Sequence, residues 1–313
     1  MVLDAQVVSD AFGLGRAESL SEPVARGELG QVRRLVTDQG VWAVKESFEP
    51  FDDDDLASAE SSGDFQLACW EAGVPTPAPR TSRGRHVVEV GGEQVRAYDW
   101  ADLMDPDPWL GPQAVGALAA ALHGVQRPPD GTVHPWFQAP LGQREWRAVL
   151  KASRGAGAPF ADRLADVLPA LVQVESILSP MEGVQTCHLD LWSDNLRRTP
   201  SGGLCVFDFD NAGPGDPSRE LAMVVFEFGQ GDAARQRRLY DAYREAGGPG
   251  RLTGRHDFAM TVAQLHHIGH RHLRMWLAAR DDEGRARSLA GIDEFLGTPF
   301  LLDDVDAAVA ATA

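Results

Sequence analysis

Lysine is nearly missing from this chain. Of 29 basic residues only Lys45 and Lys151 are lysines, and the rest are arginines. Cysteine is as sparse: Cys69, Cys187 and Cys205 are odd in number and widely spaced. That excludes a disulfide framework or a cysteine metal site and fits a reducing cytoplasm. No apolar run approaches the about eighteen residues of a membrane span. Met1 to Gln6 has neither the basic start nor the apolar block of a signal peptide. Repeats and low-complexity segments are also absent. Basic charge is in deficit, 29 residues against 46 acids, for a net charge of −17. This argues against nucleic acid or an anionic membrane surface as partner, and is compatible both with a cationic substrate and with mere solubility. What remains is ordinary for a soluble globular protein, with 43% hydrophobic and 24% charged residues. At 313 residues the chain is long enough for two lobes that share a cleft.

The richest stretch is His188-Leu189-Asp190-Leu191-Trp192-Ser193-Asp194-Asn195, followed by Phe207-Asp208-Phe209-Asp210. An acid and an amide five apart, then a second acid thirteen residues on, is a spacing that suits phosphoryl transfer. Asp190 can accept the proton of an attacking hydroxyl. Asn195 and Asp208 offer oxygens to Mg²⁺, a hard cation that takes few protein ligands and completes its shell with phosphate and water. Leu196–Arg198 and Leu204–Phe207 read as short strands around the turn Pro200-Ser201-Gly202-Gly203, which would set amide and second acid side by side. Each piece alone is bland: an isolated His-x-Asp is a common turn former, and Asp216-Pro217 is an ordinary helix start.

Together these motifs resemble the aminoglycoside phosphotransferase and choline kinase families, small-molecule relatives of protein kinases. The family's catalytic loop runs His-x-Asp-x-x-x-x-Asn, and its metal-binding Asp opens an apolar-Asp-apolar-acid segment. Its Gly-Asp-Pro-x-x-Asp-Leu-Ala is matched by Gly215-Asp216-Pro217-Ser218-Arg219-Glu220-Leu221-Ala222. Leu189 stands where the family often has Gly, and Glu220 where it usually has Asp. The resemblance implies an α+β, two-lobed protein-kinase-like fold. Residues 1–102 would form a small antiparallel β-rich nucleotide lobe, and 103–313 a larger helical catalytic lobe.

Upstream, Val32–Thr37 and Val41–Glu46 alternate around Asp38-Gln39-Gly40 and read as a hairpin. In the kinase-like layout Gly27 and Gly30 lie over the nucleotide phosphates and Lys45 reaches the α- and β-phosphates. A compact ammonium suits a phosphate point contact better than a planar guanidinium. Asp52–Asp55 reads as a solvated run that caps a helix over about 56–72, ended by Gly73-Val74-Pro75. The family carries a Glu on this helix paired with the strand lysine; Glu60 is the choice and Asp64 the runner-up. A second hairpin spans 85–90 and 94–100, giving five strands with one before Gly27. The proline- and aspartate-rich 102–108 reads as the linker. The resemblance puts main-chain contacts to the base at Asp99 and Ala101, which leaves ATP or GTP open.

Beyond the linker the reading is mostly helical: about 113–125, 143–153, 160–179, and almost everything after Ala222, with 303–313 as a frayed end. His123 reads as structural. His266 and His270 lie one turn apart, a zinc-compatible spacing, but no Glu or Cys cluster completes a site, so ordinary histidines are expected. The resemblance implies transfer of a γ-phosphoryl group to a small-molecule hydroxyl, with ATP or GTP and Mg²⁺ as cofactors. Asp190 would be the base, Asn195 and Asp208 the metal ligands and Asp210 a further metal contact; Asp216 would brace the catalytic loop. A protein kinase fits poorly, because Asp208 to Gly215 is too short for a peptide-docking segment. A nucleotide-binding pseudoenzyme would need a missing base, lysine or metal ligand, and none is missing. For the acceptor, the acids from Glu227 to Glu294 together with Trp276 suggest a cationic molecule such as an aminoglycoside or another antibiotic. An amino sugar, sugar, choline-like amino alcohol or homoserine-like amino acid is the alternative.

Overall fold

Alternating β-branched residues on either side of Asp38–Gly40 form the two long strands on which the N-terminal half is built. The computed structural model describes residues 3–27, 30–181 and 184–313. Helix α1 (Ala5–Phe12) is capped by Asp4, whose carboxylate accepts the Gln6 and Val7 amides. Strands β1 (Ala17–Leu20), β2 (Ala25–Arg26), β3 (Gly30–Thr37) and β4 (Gly40–Ser47) follow, then α2 (Asp53–Glu71), β5 (Pro79–Arg80), β6 (Val88–Val90) and β7 (Glu93–Asp99). All pairings in this sheet are antiparallel, in the order β1-β3-β4-β7-β5, with β2 added on β3 and β6 on β7. The sheet therefore has seven strands rather than five. The extra ones, β2 and β5, are two residues long, too short to carry a period of their own.

The aspartate run caps α2 as expected: Asp52 accepts the Asp54 and Asp55 amides, and Asp53–Asp55 fill the first turn. Gly63 is required inside this helix, because a Cβ there would fall 2.5 Å from the His86 ring. Phe65, 1% exposed, meets Phe209 edge-on at 5.8 Å and ties α2 to the turn that carries Asp208. Burying a side chain of that size contributes about 2–3 kcal/mol.

The second half opens with α3 (Pro112–His123), α4 (Gly142–Gly155) and α5 (Ala161–Val174). Four short strands then frame the catalytic segment: β8 (Gln185–Cys187), β9 (Leu196–Arg198), β10 (Leu204–Val206) and β11 (Gly213–Gly215). The hairpin β9–β10 matches expectation, with Leu196 opposite Val206. The ladder β8–β11 was not legible, since both strands lie inside motif sequence without alternation. Helices α6 (Pro217–Gly229), α7 (Ala233–Glu245), α8 (Ala259–Ala278), α9 (Asp282–Gly297) and α10 (Leu302–Thr312) complete the chain. The expected fraying of 303–313 is not seen: α10 buries Val305, Ala308 and Ala311. One apolar core runs from Phe65 and Cys69 on α2 through α3 to α6 and α7, so the two halves share packing. Among the described residues no helix is long and apolar enough to cross a membrane.

Candidate active site

His188 is fully buried, and its ring sets the catalytic loop. Nε2 donates to the Phe207 carbonyl at 3.1 Å and Nδ1 accepts the Asp190 amide at 3.3 Å, which fixes the tautomer. Leu189 takes φ 64°, the left-handed region, which explains the glycine that the family often has there. Its carbonyl accepts from Gln264 Nε2 on α8 at 2.8 Å. Glu220 on α6, fully buried, accepts the His188 and Leu189 amides and binds His123 Nε2 at 2.7 Å. The loop is thus braced by Glu220. Asp216, expected in that role, caps α6 through the Ser218 amide at 2.8 Å. Burial pushes the Glu220 carboxyl up, but His123 and the loop amides outweigh it and hold it below the usual range. His123 is structural, as read, with Nδ1 on the Tyr243 hydroxyl at 2.9 Å.

Asp190 comes out half-buried beside Asn195, whose amide nitrogen donates to the Asp190 carboxylate at 2.8 Å. Burial raises the Asp190 pKa above the ordinary aspartate value; His188 and the Asn211 hydrogen bond oppose this, and Asp208 adds to it. A carboxylate so raised is a better proton acceptor. Asp208 has φ 59°, a second left-handed residue, and follows the β9–β10 hairpin that holds it near Asn195.

Lys45 Nζ donates to Asp208 Oδ1 at 2.7 Å and to Asp210 Oδ2 at 2.8 Å. The expected pair with α2 does not form. Glu60 accepts from Arg85 Nε and the His86 and Val87 amides, because its helical face is turned to the segment before β6. Asp64, the runner-up, binds His86 and Arg127 instead. Asp210 also takes both Nη atoms of Arg96, at 2.6 and 2.9 Å. Sequence reasoning missed Arg96, which stands directly opposite Lys45 across β4 and β7. No motif marks it, and only the strand register could have found it. Burial pulls the Lys45 pKa down, yet Asp210 and Asp208 more than offset this and raise it. Burial likewise pushes Asp210 up, and Lys45 with Arg96 overcome that and hold it well below the carboxylate range.

Asn195 and Asp208 fit a hard cation. The amide nitrogen of Asn195 is committed to Asp190, which leaves its carbonyl oxygen, and Asp208 Oδ2 accepts no hydrogen bond among the described residues. Two ligands without a closed cage suit Mg²⁺ shared with phosphate. Asp210 fits less well, since both its oxygens are already engaged. No cluster of three or more His, Cys, Asp or Glu that could hold a metal occurs among the described residues. His266 and His270 bind Glu175 at 3.0 Å and Glu145 at 2.9 Å, as ordinary histidines.

Gly27 N–H donates to the Gly30 carbonyl at 2.9 Å; Glu28 and Leu29 between them lie outside the described residues. Gly30 has no room for a side chain, because a Cβ would sit 2.3 Å from the Glu46 carbonyl. At the crossing between the halves, the Asp99 amide is used by the Ala78 carbonyl at 2.9 Å. Ala101 makes no backbone hydrogen bond among the described residues.

The aromatic half of the expected acceptor surface is not there. Trp276 is 7% exposed and packs edge-on against Phe160 at 5.2 Å with Arg285 over its ring. Several of the acids are structural: Asp232 and Asp281 cap α7 and α9, Asp257 accepts the Thr253 and Gly254 amides, and Asp293 pairs with Arg163. Glu227 accepts the Ser193 amide at 3.1 Å, in the loop that carries Asp190 and Asn195. All three cysteines are buried thiols whose pKa burial raises, Cys69 to about 12 and Cys205 to about 11, so none is a nucleophile.

A sequence model of the phosphotransferase enzyme family matches residues 21–258, more than half of the chain. The chain belongs to that family. It is a phosphotransferase with the two-part, protein-kinase-like architecture described above. Among solved structures it is similar to an aminoglycoside phosphotransferase from Alicyclobacillus acidocaldarius, at TM-score 0.63 and 14% identity over 96% of this chain and 94% of the other. It is also similar to spectinomycin phosphotransferase in complex with ADP and spectinomycin, at 0.64 and 11% over 99% of both chains. Choline kinase from Streptococcus pneumoniae superposes at 0.53 and 12%, over 92% of this chain and 98% of that one. At such identities the likeness is one of fold. A comparison with curated protein sequences returned no match.

Proposed function

We propose that this phosphotransferase moves the γ-phosphoryl group of ATP or GTP to a hydroxyl of a small, amine-bearing acceptor, with aminoglycosides and other antibiotics the first class to test. The observation that carries the reading is the Asp190–Asn195–Asp208–Lys45 arrangement, a raised carboxylate beside an amide, an acid and a half-buried ammonium. Asp190 orients the hydroxyl and accepts its proton. Asn195 and Asp208 would hold Mg²⁺, which neutralises charge on the phosphate oxygens as they are transferred. Lys45 binds the nucleotide phosphates under Gly27 and Gly30, and main-chain atoms at Asp99 and Ala101 meet the base. Catalysis here is positional and electrostatic, since the site holds no covalent nucleophile. The lobes divide at 102/103, and the chain acts in the cytoplasm.

A cationic acceptor is supported by the net charge of −17 and by Glu227 beside the catalytic loop. The second reading, a metabolite kinase acting on an amino sugar, sugar, choline-like amino alcohol or homoserine-like amino acid, is favoured by the structural use of Asp232, Asp257, Asp281 and Asp293. ADP release measured across a hydroxylated panel, antibiotics first and the metabolites next, separates the two. Release of neither ADP from ATP nor GDP from GTP with any acceptor of either group would overturn the reading.

A further inference from the structure

Lys45 and Arg96 are cross-strand partners whose cationic ends converge on one carboxylate, Asp210. Arg96 is 5% exposed, and its guanidinium also lies over the Phe51 ring at 5.6 Å. Two parallel N–H donors on two oxygens hold a carboxylate in one orientation, and the contact is charge-assisted on both sides. Asp210 therefore has three donors from two cations, whereas Asp208 gives one oxygen to Lys45 and is the more exposed of the two acids, 39% against 26% for the side chains. No α2 carboxylate reaches Lys45, because Glu60 and Asp64 are tied to Arg85, His86 and Arg127.

A lysine that met Asp208 alone would lose its anchor whenever Asp208 turned to a cation. Asp210, locked by Arg96, keeps an anion on Lys45 in both situations. Once Arg96 spans both Asp210 oxygens, little of that carboxylate is left for a metal. We propose that the Arg96–Asp210 pair positions Lys45 for the nucleotide phosphates, doing from strand β7 what the α2 carboxylate was expected to do, and that Asp210 is a positioning residue rather than a metal ligand.

This rests on the phosphoryl-transfer reading above, and the test keeps the two apart. ADP binding to the parent protein, by calorimetry, tests nucleotide use by itself. Mn²⁺ affinity of the ADP complex, by electron paramagnetic resonance, then compares Asp208→Asn with Asp210→Asn, both close in shape to the parent. Asp208→Asn should lose at least about tenfold, while Asp210→Asn stays within about threefold; tenfold corresponds to about 1.4 kcal/mol. In steady state Arg96→Met and Asp210→Asn should each raise the nucleotide KM, with the double variant no worse than the poorer single one, as for residues that act as a unit. Arg96→Lys should not restore it, because a point charge cannot span both oxygens. Glu60→Gln should behave like the parent. Equal loss of Mn²⁺ affinity in Asp208→Asn and Asp210→Asn would overturn the proposal. A nucleotide KM as damaged in Glu60→Gln as in Arg96→Met would do so too.

Discussion

Leu189 Cδ2 occupies the space that a side chain at Gly215 would need: a Cβ built there falls 2.6 Å from it and 2.9 Å from Cys187 Cβ. The left-handed Leu189 and the glycine that closes β11 are thus two halves of one fit. Gly215→Ala should destabilise by about 1–3 kcal/mol, the usual cost of overpacking. In a Leu189→Ala background that penalty should shrink, although Leu189→Ala costs stability itself by leaving a cavity. Thermal unfolding of the four proteins in the cycle measures the coupling. Additive effects would show that the two residues do not meet.

Leu189→Gly sets two effects against each other. Relief of a left-handed residue is worth about 1–2 kcal/mol. Loss of a leucine side chain that is 1% exposed costs about 2–5 kcal/mol. Packing should win, giving a lower midpoint in denaturant despite the better backbone match.

Glu220 makes the catalytic loop acid-sensitive. Its folded-state pKa is lowered, so its contribution is full above the ordinary glutamate value of 4.5 and fades as pH falls through the folded one. Unfolding midpoints should therefore drop below about pH 4.5, and Glu220→Gln should flatten that dependence while lowering stability at pH 7. Glu220→Ala leaves two buried amides and His123 without their partner and should cost about 3–5 kcal/mol, the scale for breaking a buried charged pair. A Gln variant with the parent's acid profile would move the effect to another carboxylate.

That the His188–Asn195 loop, the Asp208 segment and Lys45 come together was legible because each sits in a contiguous run with local spacing. Partners across elements were not. Glu60 has the right type and helix position to meet Lys45, but a rotation of α2 by one residue decides whether it faces β4 or the Arg85–Val87 segment before β6. Arg96 reads as one more polar residue in an alternating strand until the register sets it opposite Lys45. Trp276 was read by its composition on a helix, and the packing of α8 on Phe160 turned it inward. Glu220 was legible as a motif member, while its grip on the His188 and Leu189 amides depends on how α6 lies under the loop.

Asp190→Asn should leave ADP affinity near the parent's and lower turnover by at least about a hundredfold, the scale for losing a general base. Because burial raises the Asp190 pKa, activity should fall with decreasing pH at a value above the ordinary 3.8 of an aspartate. The same shift has the opposite sign for stability: a raised acid favours its protonated form in the fold, so stability declines as pH rises through that window. Asn at 190 removes this cost, and its melting temperature at pH 7 should be no lower than the parent's. Turnover within a few-fold of the parent would place the base elsewhere.

Acceptor recognition gives the last test. Glu227 stands on α6 with one carboxylate oxygen on the Ser193 amide, one residue from Trp192 and three from Asp190 along the loop. Asp241, Glu245, Asp282, Glu283 and Glu294 are exposed and add a diffuse negative field. If the acceptor carries ammonium groups, raising salt should raise its KM more than that of the nucleotide, because exposed charges are screened within about 10 Å at 0.1 M. Glu227→Gln should then raise the acceptor KM several-fold and blunt its salt response, with the nucleotide KM unchanged. That split separates a lost ion pair from a damaged loop, since a damaged loop would lower kcat for every acceptor and every salt concentration. A productive neutral acceptor whose KM ignores both salt and the Glu227 substitution would leave the acidic charge with solubility alone.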